Sequence, residues 1–227
     1  MIFNILLACV LTAAGGYLLG SILFGVLISK VMYNDDVRNH GSGNAGMTNV
    51  LRTYGKMPAV FTTLGDVGKS VAAVNLGRFI FGALLSGTGA AWQNPLDPVC
   101  GAYLAAIFCM IGHSRPIFFG FKGGKGVLVA GGAILAIQPI LIPFLFLIFL
   151  ACLLPTGMVS LGSITMAALY PVLTLIYSCY RGLAAGDMAV CFVGALIMSI
   201  LVIYMHRSNI KRIREGKEYC FGKKHQK

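Results

Sequence analysis

Charge is scarce in this chain. Only 11% of its 227 residues are charged, against about 25% in an ordinary soluble domain. A mostly water-facing surface is therefore excluded. Acidic residues are rarest: seven, against 18 lysines and arginines, for a formal net charge of +11. There is one tryptophan, and little aromatic interleaving among the charges. No nucleic-acid motif is present, so the basic excess does not mark a nucleic-acid partner. The seven cysteines contain no Cys-x-x-Cys, and most lie within apolar runs. They read as small buried hydrophobes rather than disulfides or metal ligands. No constellation of metal-ligand spacing occurs, so no metal and no cofactor are expected. Internal repeats and low-complexity tracts are also lacking.

Apolar residues fill that space, at 57% of the chain. A bilayer crossing needs about 20 of them in a row. The first candidate span is Phe3 to Val31. It lacks a basic flank and is too long for a signal-peptide core, so a retained helix is expected. Further spans are about Pro58 to Leu85, Val99 to Gly112, Met158 to Tyr177 and Met188 to Tyr204. The apolar stretch Val127 to Leu154 contains Pro139 and Pro143. Proline disrupts helix interiors, so two short helices broken near Gln138-Pro139 are expected.

Lysine and arginine concentrate after Val31, after Gly112 and after Tyr204, while the Ser86–Pro98 loop has none. The positive-inside rule places those three segments in the cytoplasm and the N-terminus outside. Seven crossings satisfy this bias; six would put both termini on one side. The fold expected is an all-α integral membrane bundle of about seven transmembrane helices. Residues 1–227 form one domain, with a cytoplasmic C-terminus.

The three basic segments carry the chemistry. In the first, Gly41-Ser42-Gly43-Asn44-Ala45-Gly46-Met47-Thr48-Asn49 is followed by Arg52. Closely spaced glycines let a backbone turn onto a ligand, and exposed N–H groups can form an anion nest. An arginine fork suits phosphate. The bland alternative is a flexible loop. In the second, Gly112-His113-Ser114-Arg115-Pro116 precedes Phe121-Lys122-Gly123-Gly124-Lys125-Gly126-Val127. Lysines flanking paired glycines at the start of a helix describe a phosphate cradle. It is not a Walker A loop, because Phe119 stands where that motif needs glycine. The bland alternative is a basic interfacial loop, which leaves the glycines unexplained. The third runs from His206 and Arg207 through Asn209 and Arg212 to Glu218. His206 and Asn209 are three apart and can share a helix face. Charge alone does not separate this segment from an ordinary positive-inside anchor.

Asp66 and Lys69 are also three apart, inside a candidate span. Ionisable groups there are costly, so they are mutually neutralised or functional. His206 has an ordinary imidazole pKa of about 6.5 and is a candidate base; His113 is a second. No histidine is followed by aspartate five positions later, which disfavours the His-x-x-x-x-Asp acyltransferases. A transporter of phosphorylated solutes is a competing class, since glycine breaks and charged spans occur there too. It requires groups reachable from both faces, whereas these motifs lie on one. A non-catalytic lipid-binding protein would not need three separate motifs.

In order and spacing, Gly-Ser-Gly-Asn with Thr-Asn-x-x-Arg, then Gly-His-x-x-Pro with Phe-Lys-Gly-Gly-Lys-Gly-Val, then His-Arg-x-Asn-Ile-x-Arg with a later Gly-x-Glu, resemble the bacterial acyl-phosphate:glycerol-3-phosphate acyltransferases. The resemblance covers nearly the whole chain, with Met47 and Leu128-Val129 as departures. It implies acyl transfer from acyl phosphate to the 1-hydroxyl of glycerol 3-phosphate. The products are lysophosphatidic acid and inorganic phosphate, the first acylation of phospholipid synthesis. It implies a bacterial cytoplasmic (inner) membrane location, membrane lipids around the site and a phosphate acyltransferase as donor supplier. The catalytic residues implied are Ser42, Arg52, Lys125, His206 and Asn209. Substrate and phosphate contacts would come from Gly41, Gly43, Asn44, Thr48, Asn49, Asp66, Lys69, His113, Lys122, Gly123, Gly124, Gly126, Ser160, Ser163, Arg207 and Glu218.

Overall fold

A computed structural model describes residues 2–85 and 97–221. Most of the expected Ser86–Pro98 loop, and the last six residues of the basic tail, lie outside them. The described residues are all-helical. The chain divides into two compact units, Met1–Ile137 and Gln138–Lys227.

The first unit holds α1 (Ile2–Gly20), α2 (Phe24–Tyr33), α3 (Met47–Tyr54), α4 (Lys56–Leu85), α5 (Asp97–Ser114) and α6 (Val127–Ile137). Its centre is the packing of α1, α4 and α5. Small residues let these backbones touch, as in membrane helix pairs generally. A Cβ on Gly20 would strike the Cys109 carbonyl oxygen, and one on Gly77 would strike that of Gly101.

The expected first span differs in one respect: it is interrupted between α1 and α2, where Leu23 is extended at φ −94°, ψ 96°. The break frees the Ile22 carbonyl, which accepts a 2.6 Å hydrogen bond from Lys69 Nζ. A freed backbone group inside a membrane protein requires such a partner.

The second unit holds α7 (Leu141–Thr156), α8 (Val159–Tyr180), α9 (Ala185–Met205) and α10 (Arg207–Arg214). Here α8 packs against both α7 and α9. Ser199 on α9 donates to the Ala167 carbonyl of α8 at 2.7 Å. The long apolar stretch does break at Gln138–Ile140, as its prolines predict.

Five helical segments are long and apolar enough to cross a membrane among the described residues: Ile2–Tyr33, Lys56–Leu85, Pro98–Phe119, Val159–Tyr180 and Ala185–Met205. Val127–Ile137 and Leu141–Thr156 are shorter apolar helices.

Candidate functional site

The Gly41 loop leaves a short turn, Val37–Asn39, and runs into α3. Gly41 and Gly43 take φ of 56° and 69°, the left-handed region that glycine enters without penalty. Asn49 is the loop's internal strut. Its Nδ2 lies 3.0 Å from the carbonyls of Val37, His40 and Asn44, and its Oδ1 accepts from Ser42 N at 3.0 Å. The amide that the sequence offers as a ligand contact is thus committed to shaping the loop. Asn44 does the same locally, accepting from Gly46 N at 2.8 Å. Ser42 and Arg52 are exposed, and Thr48 is half-buried.

Behind this loop lies a cluster the sequence does not announce. Asp35 accepts from the Tyr54 hydroxyl at 2.7 Å and sits 2.6 Å from His40 Nε2. The Tyr54 hydrogen bond holds the Asp35 carboxyl below its ordinary range, against partial burial. Burial, with the Asp35 bond, pushes the Tyr54 phenol up to about 12. Asp36 pairs with Arg38 at 2.7 Å, and that guanidinium lowers its carboxyl.

The second motif rests on α5. Gly124 N donates to the His113 carbonyl at 3.0 Å. A Cβ on Gly123 would strike that same carbonyl oxygen, and one on Gly124 would strike His113 Nε2. The paired glycines are therefore there for close approach. Lys122 is exposed and Lys125 half-buried. Helix α6 begins immediately after Gly126, which has φ 74°.

Beneath the glycines is a buried polar knot. Lys69 Nζ lies 2.8 Å from Asp66 Oδ1, 2.9 Å from His113 Nδ1 and 2.6 Å from the Ile22 carbonyl. Lys69 thus pairs with the Asp66 carboxylate and hydrogen-bonds to His113 and Ile22; an ammonium has donors and no acceptor. His113 Nδ1 must then accept, and the neutral ring carries its proton on Nε2. His113 thus offers a donor beside Gly124 rather than a base. Asp66 and Lys69 brace the loop's floor.

The third motif, in the second unit, is organised around Glu218. Ser160 Oγ and Asn209 Nδ2 donate to its Oε1 at 2.7 Å each, and Arg212 Nε donates to Oε2 at 2.8 Å. The Glu218 side chain is 6% exposed. The bond to Glu218 fixes the orientation of the Asn209 amide, and Asn209 Oδ1 is buried with no partner among the described residues. Ser163 differs from Ser160: its hydroxyl donates to the Val159 carbonyl of its own helix at 2.9 Å. His206, at the α9–α10 junction, is buried, with Nδ1 2.7 Å from the Val202 carbonyl. A carbonyl only accepts, so Nδ1 holds a proton there. Arg207 is exposed and stacks 4.7 Å over the Tyr204 ring.

Burial raises the Glu218 carboxyl, but the hydrogen bonds from Asn209, Ser160 and Arg212 outweigh it and hold the pKa below its ordinary 4.5. The folded state therefore binds this proton less readily than the unfolded state. Its stabilisation is complete above about pH 4.5 and fades as pH falls through the depressed value. Glu218→Gln leaves one amide N–H₂ facing a donor in either orientation. It should cost about 2 kcal/mol at pH 7. Thermal melts in detergent should show the gap between variant and parent closing below pH 4 to 4.5; a gap independent of pH would refute the carboxylate hub.

Among the described residues, no group of three or more His, Cys, Asp or Glu is placed to hold a metal. Arg38, Asp35, Tyr54 and Arg212 are missed in the sequence; of these, Arg38 acts on carbonyls 81 and 84 residues away, the others on nearer partners. Only the positions of Arg38 and Arg212 within the basic motifs hinted at them.

Comparison with known proteins identifies the family. A family model described as "Glycerol-3-phosphate acyltransferase" matches residues 10–216. A glycerol-3-phosphate acyltransferase of Clostridioides difficile (strain 630) is 37% identical, over 95% of this chain and 96% of its own. One from Syntrophomonas wolfei is 40% identical over 89% and 91%. The crystal structure of PlsY, an integral membrane glycerol 3-phosphate acyltransferase, in its glycerol 3-phosphate form is similar with a TM-score of 0.72. It is 34% identical and covers 94% of this chain and 96% of that one. The lysophosphatidic acid form of PlsY gives the same TM-score at 32% identity. The protein is an integral membrane acyltransferase and belongs to the glycerol-3-phosphate acyltransferase family.

Proposed function

We propose that this enzyme transfers an acyl chain from acyl phosphate to the 1-hydroxyl of glycerol 3-phosphate, releasing lysophosphatidic acid and inorganic phosphate. The observation that carries the reading is the Lys122–Gly126 segment. Its paired glycines lie against His113, with a lysine on either side. Relatives crystallised with glycerol 3-phosphate and with lysophosphatidic acid supply the acceptor and the product.

The donor is a mixed anhydride, so its carbonyl needs no covalent enzyme intermediate. Positioning and charge stabilisation carry the rate. The glycerol 1-oxygen attacks the acyl carbon, the bond from that carbon to the phosphate oxygen breaks, and the electron pair leaves with phosphate. Lys122, Lys125 and the Gly123, Gly124 and Gly126 backbone hold phosphate. Ser42 and Arg52, with Gly41, Gly43, Asn44, Thr48 and Asn49 shaping their loop, hold the other polar groups. His206, Asn209, Ser160 and Glu218 are the residues of the third motif that take part in the reaction. The unpartnered Asn209 Oδ1 suits a substrate hydroxyl. The hydroxyl proton has two acceptors, His206 and the departing phosphate. Lost turnover in a folded His206→Gln protein assigns it to the histidine; retained turnover assigns it to the phosphate.

Residues 1–227 form a single transmembrane acyltransferase domain. The chain crosses a bacterial cytoplasmic membrane seven times, with the N-terminus outside and the C-terminus and site at the cytoplasm. The charge bias of its loops supports this orientation. A phosphate acyltransferase supplies the donor. The test is phosphate release from palmitoyl phosphate by purified protein, with and without glycerol 3-phosphate. Release should require glycerol 3-phosphate, yield lysophosphatidic acid, vanish in Arg52→Ala and fall, with a raised KM, in Lys125→Ala. Inert folded protein would sink the reading, and consumption of acyl-CoA instead would move the donor.

A further inference from the structure

We propose that Arg38, clamped by Asp36, is a positioning residue that sets the phosphate-binding geometry of the Lys122–Gly126 segment. The inference rests on the reading that this segment binds phosphate. Arg38 lies in the first basic motif, before the Gly41 loop, yet its side chain works on the second. Asp36 takes one side of the guanidinium, with Oδ2 2.7 Å from Nη2 and Oδ1 3.0 Å from Nε. Asp36 Oδ1 also accepts from Arg38 N at 3.0 Å, so the clamp is locked to its own backbone. The remaining nitrogen, Nη1, donates to two carbonyls, Phe119 at 2.9 Å and Lys122 at 3.0 Å. The guanidinium also sits 5.9 Å from the Phe119 ring centre.

Those two carbonyls bracket the strained part of the loop. Gly120 has φ 66° and Phe121 φ 58°. Consecutive left-handed residues, one of them aromatic, persist only where the surroundings impose them. Arg38 staples the turn at both ends. It also aims the glycines that come after the turn. In a trans peptide the C=O and the next N–H point in opposite directions. Holding the Lys122 oxygen at Arg38 therefore turns the Gly123 N–H away from it. Gly124 N is fixed from the other side by the His113 carbonyl. The segment is thus held between Arg38 and α5, and the facing of its donors is set by both ties.

The experiment is steady-state kinetics in detergent on Arg38→Ala, Arg38→Lys and Lys125→Ala, with thermal melts as the folding control. Arg38→Ala should raise the KM for at least one of the two phosphate-bearing substrates, acyl phosphate or glycerol 3-phosphate, by about tenfold or more. Arg38→Lys should not restore it, because one ammonium nitrogen keeps the charge but lacks the planar fork whose Nε and Nη2 face Asp36 while Nη1 faces the two carbonyls. Asparagine tolerates left-handed backbone, so Phe121→Asn should recover part of the loss in Arg38→Ala. An unchanged KM in Lys125→Ala would remove the phosphate-binding reading and this inference with it. A raised KM in Lys125→Ala beside an unchanged one in Arg38→Ala overturns the inference alone. So does full activity in Arg38→Lys, which would reduce Arg38 to a charge. An equal loss with and without Phe121→Asn would show that Arg38 does not act through the turn.

Discussion

Gly123→Ala protein is expected to reach the membrane folded and to turn over roughly a hundredfold more slowly. The new methyl group meets the His113 carbonyl oxygen, with Pro116 Cδ 2.9 Å away as a second obstacle. That carbonyl belongs to the last turn of α5, so it cannot swing aside as a side chain would. The loop must rise instead, by something near an ångström, and a misplacement of that size costs about a hundredfold in a positioned reaction. Gly124→Ala meets the His113 ring rather than backbone, but Lys69 holds that ring at 2.9 Å, so a comparable loss is expected.

Gly126 provides the internal contrast. Its φ is 74°, yet nothing lies within 4 Å of a Cβ there. Alanine at 126 should therefore pay only the left-handed backbone penalty, about 1 to 2 kcal/mol. Phosphate release at saturating substrate, with a thermal melt on each sample, separates the three. Full turnover in Gly123→Ala would mean that close approach to His113 is not what the glycine provides.

The outline of this machine was legible because hydropathy and punctuation report partition and chain breaks directly. The break after Ile137, the start of α6 at Val127 and the burial of Asp66 with Lys69 all follow from residue type along the chain. The roles of individual polar residues do not. Asn49 in a glycine-rich loop reads the same whether it faces a ligand or its own backbone, and here it faces the backbone. Ser160 and Ser163 stand one helical turn apart, yet only Ser160 reaches Glu218. Arg38 resembles any positive-inside arginine until the turn 81 residues later in the chain is seen against it. The first span looked continuous because Gly20-Ser21-Ile22-Leu23 is apolar enough to pass as helix. Its break becomes intelligible only with the lysine that receives the freed carbonyl. Such pairings are long-range, and a single sequence carries no record of them.

That lysine carries the other large expected effect. Lys69→Met should destabilise the protein by roughly 3–5 kcal/mol, the usual result of removing one partner from a buried ion pair. Both side chains of the pair are 2% exposed, so water cannot compensate Asp66. The substitution also strips the donor from the Ile22 carbonyl and from His113 Nδ1, loosening the α1–α2 break and the floor of the glycine loop together. A domain's total stability is about 5–15 kcal/mol, so much of the variant should fail to fold or melt far below the parent. If unpaired charge is the main cause, Asp66→Asn combined with Lys69→Met should be more stable than Lys69→Met alone, although two polar partners have gone. Its activity should stay low, because His113 is still unheld. Folded yield by size-exclusion and thermal melts in detergent test this order. Lys69→Met as stable as the parent, or a double variant no better than the single, would show that the ion pair does not hold this region together.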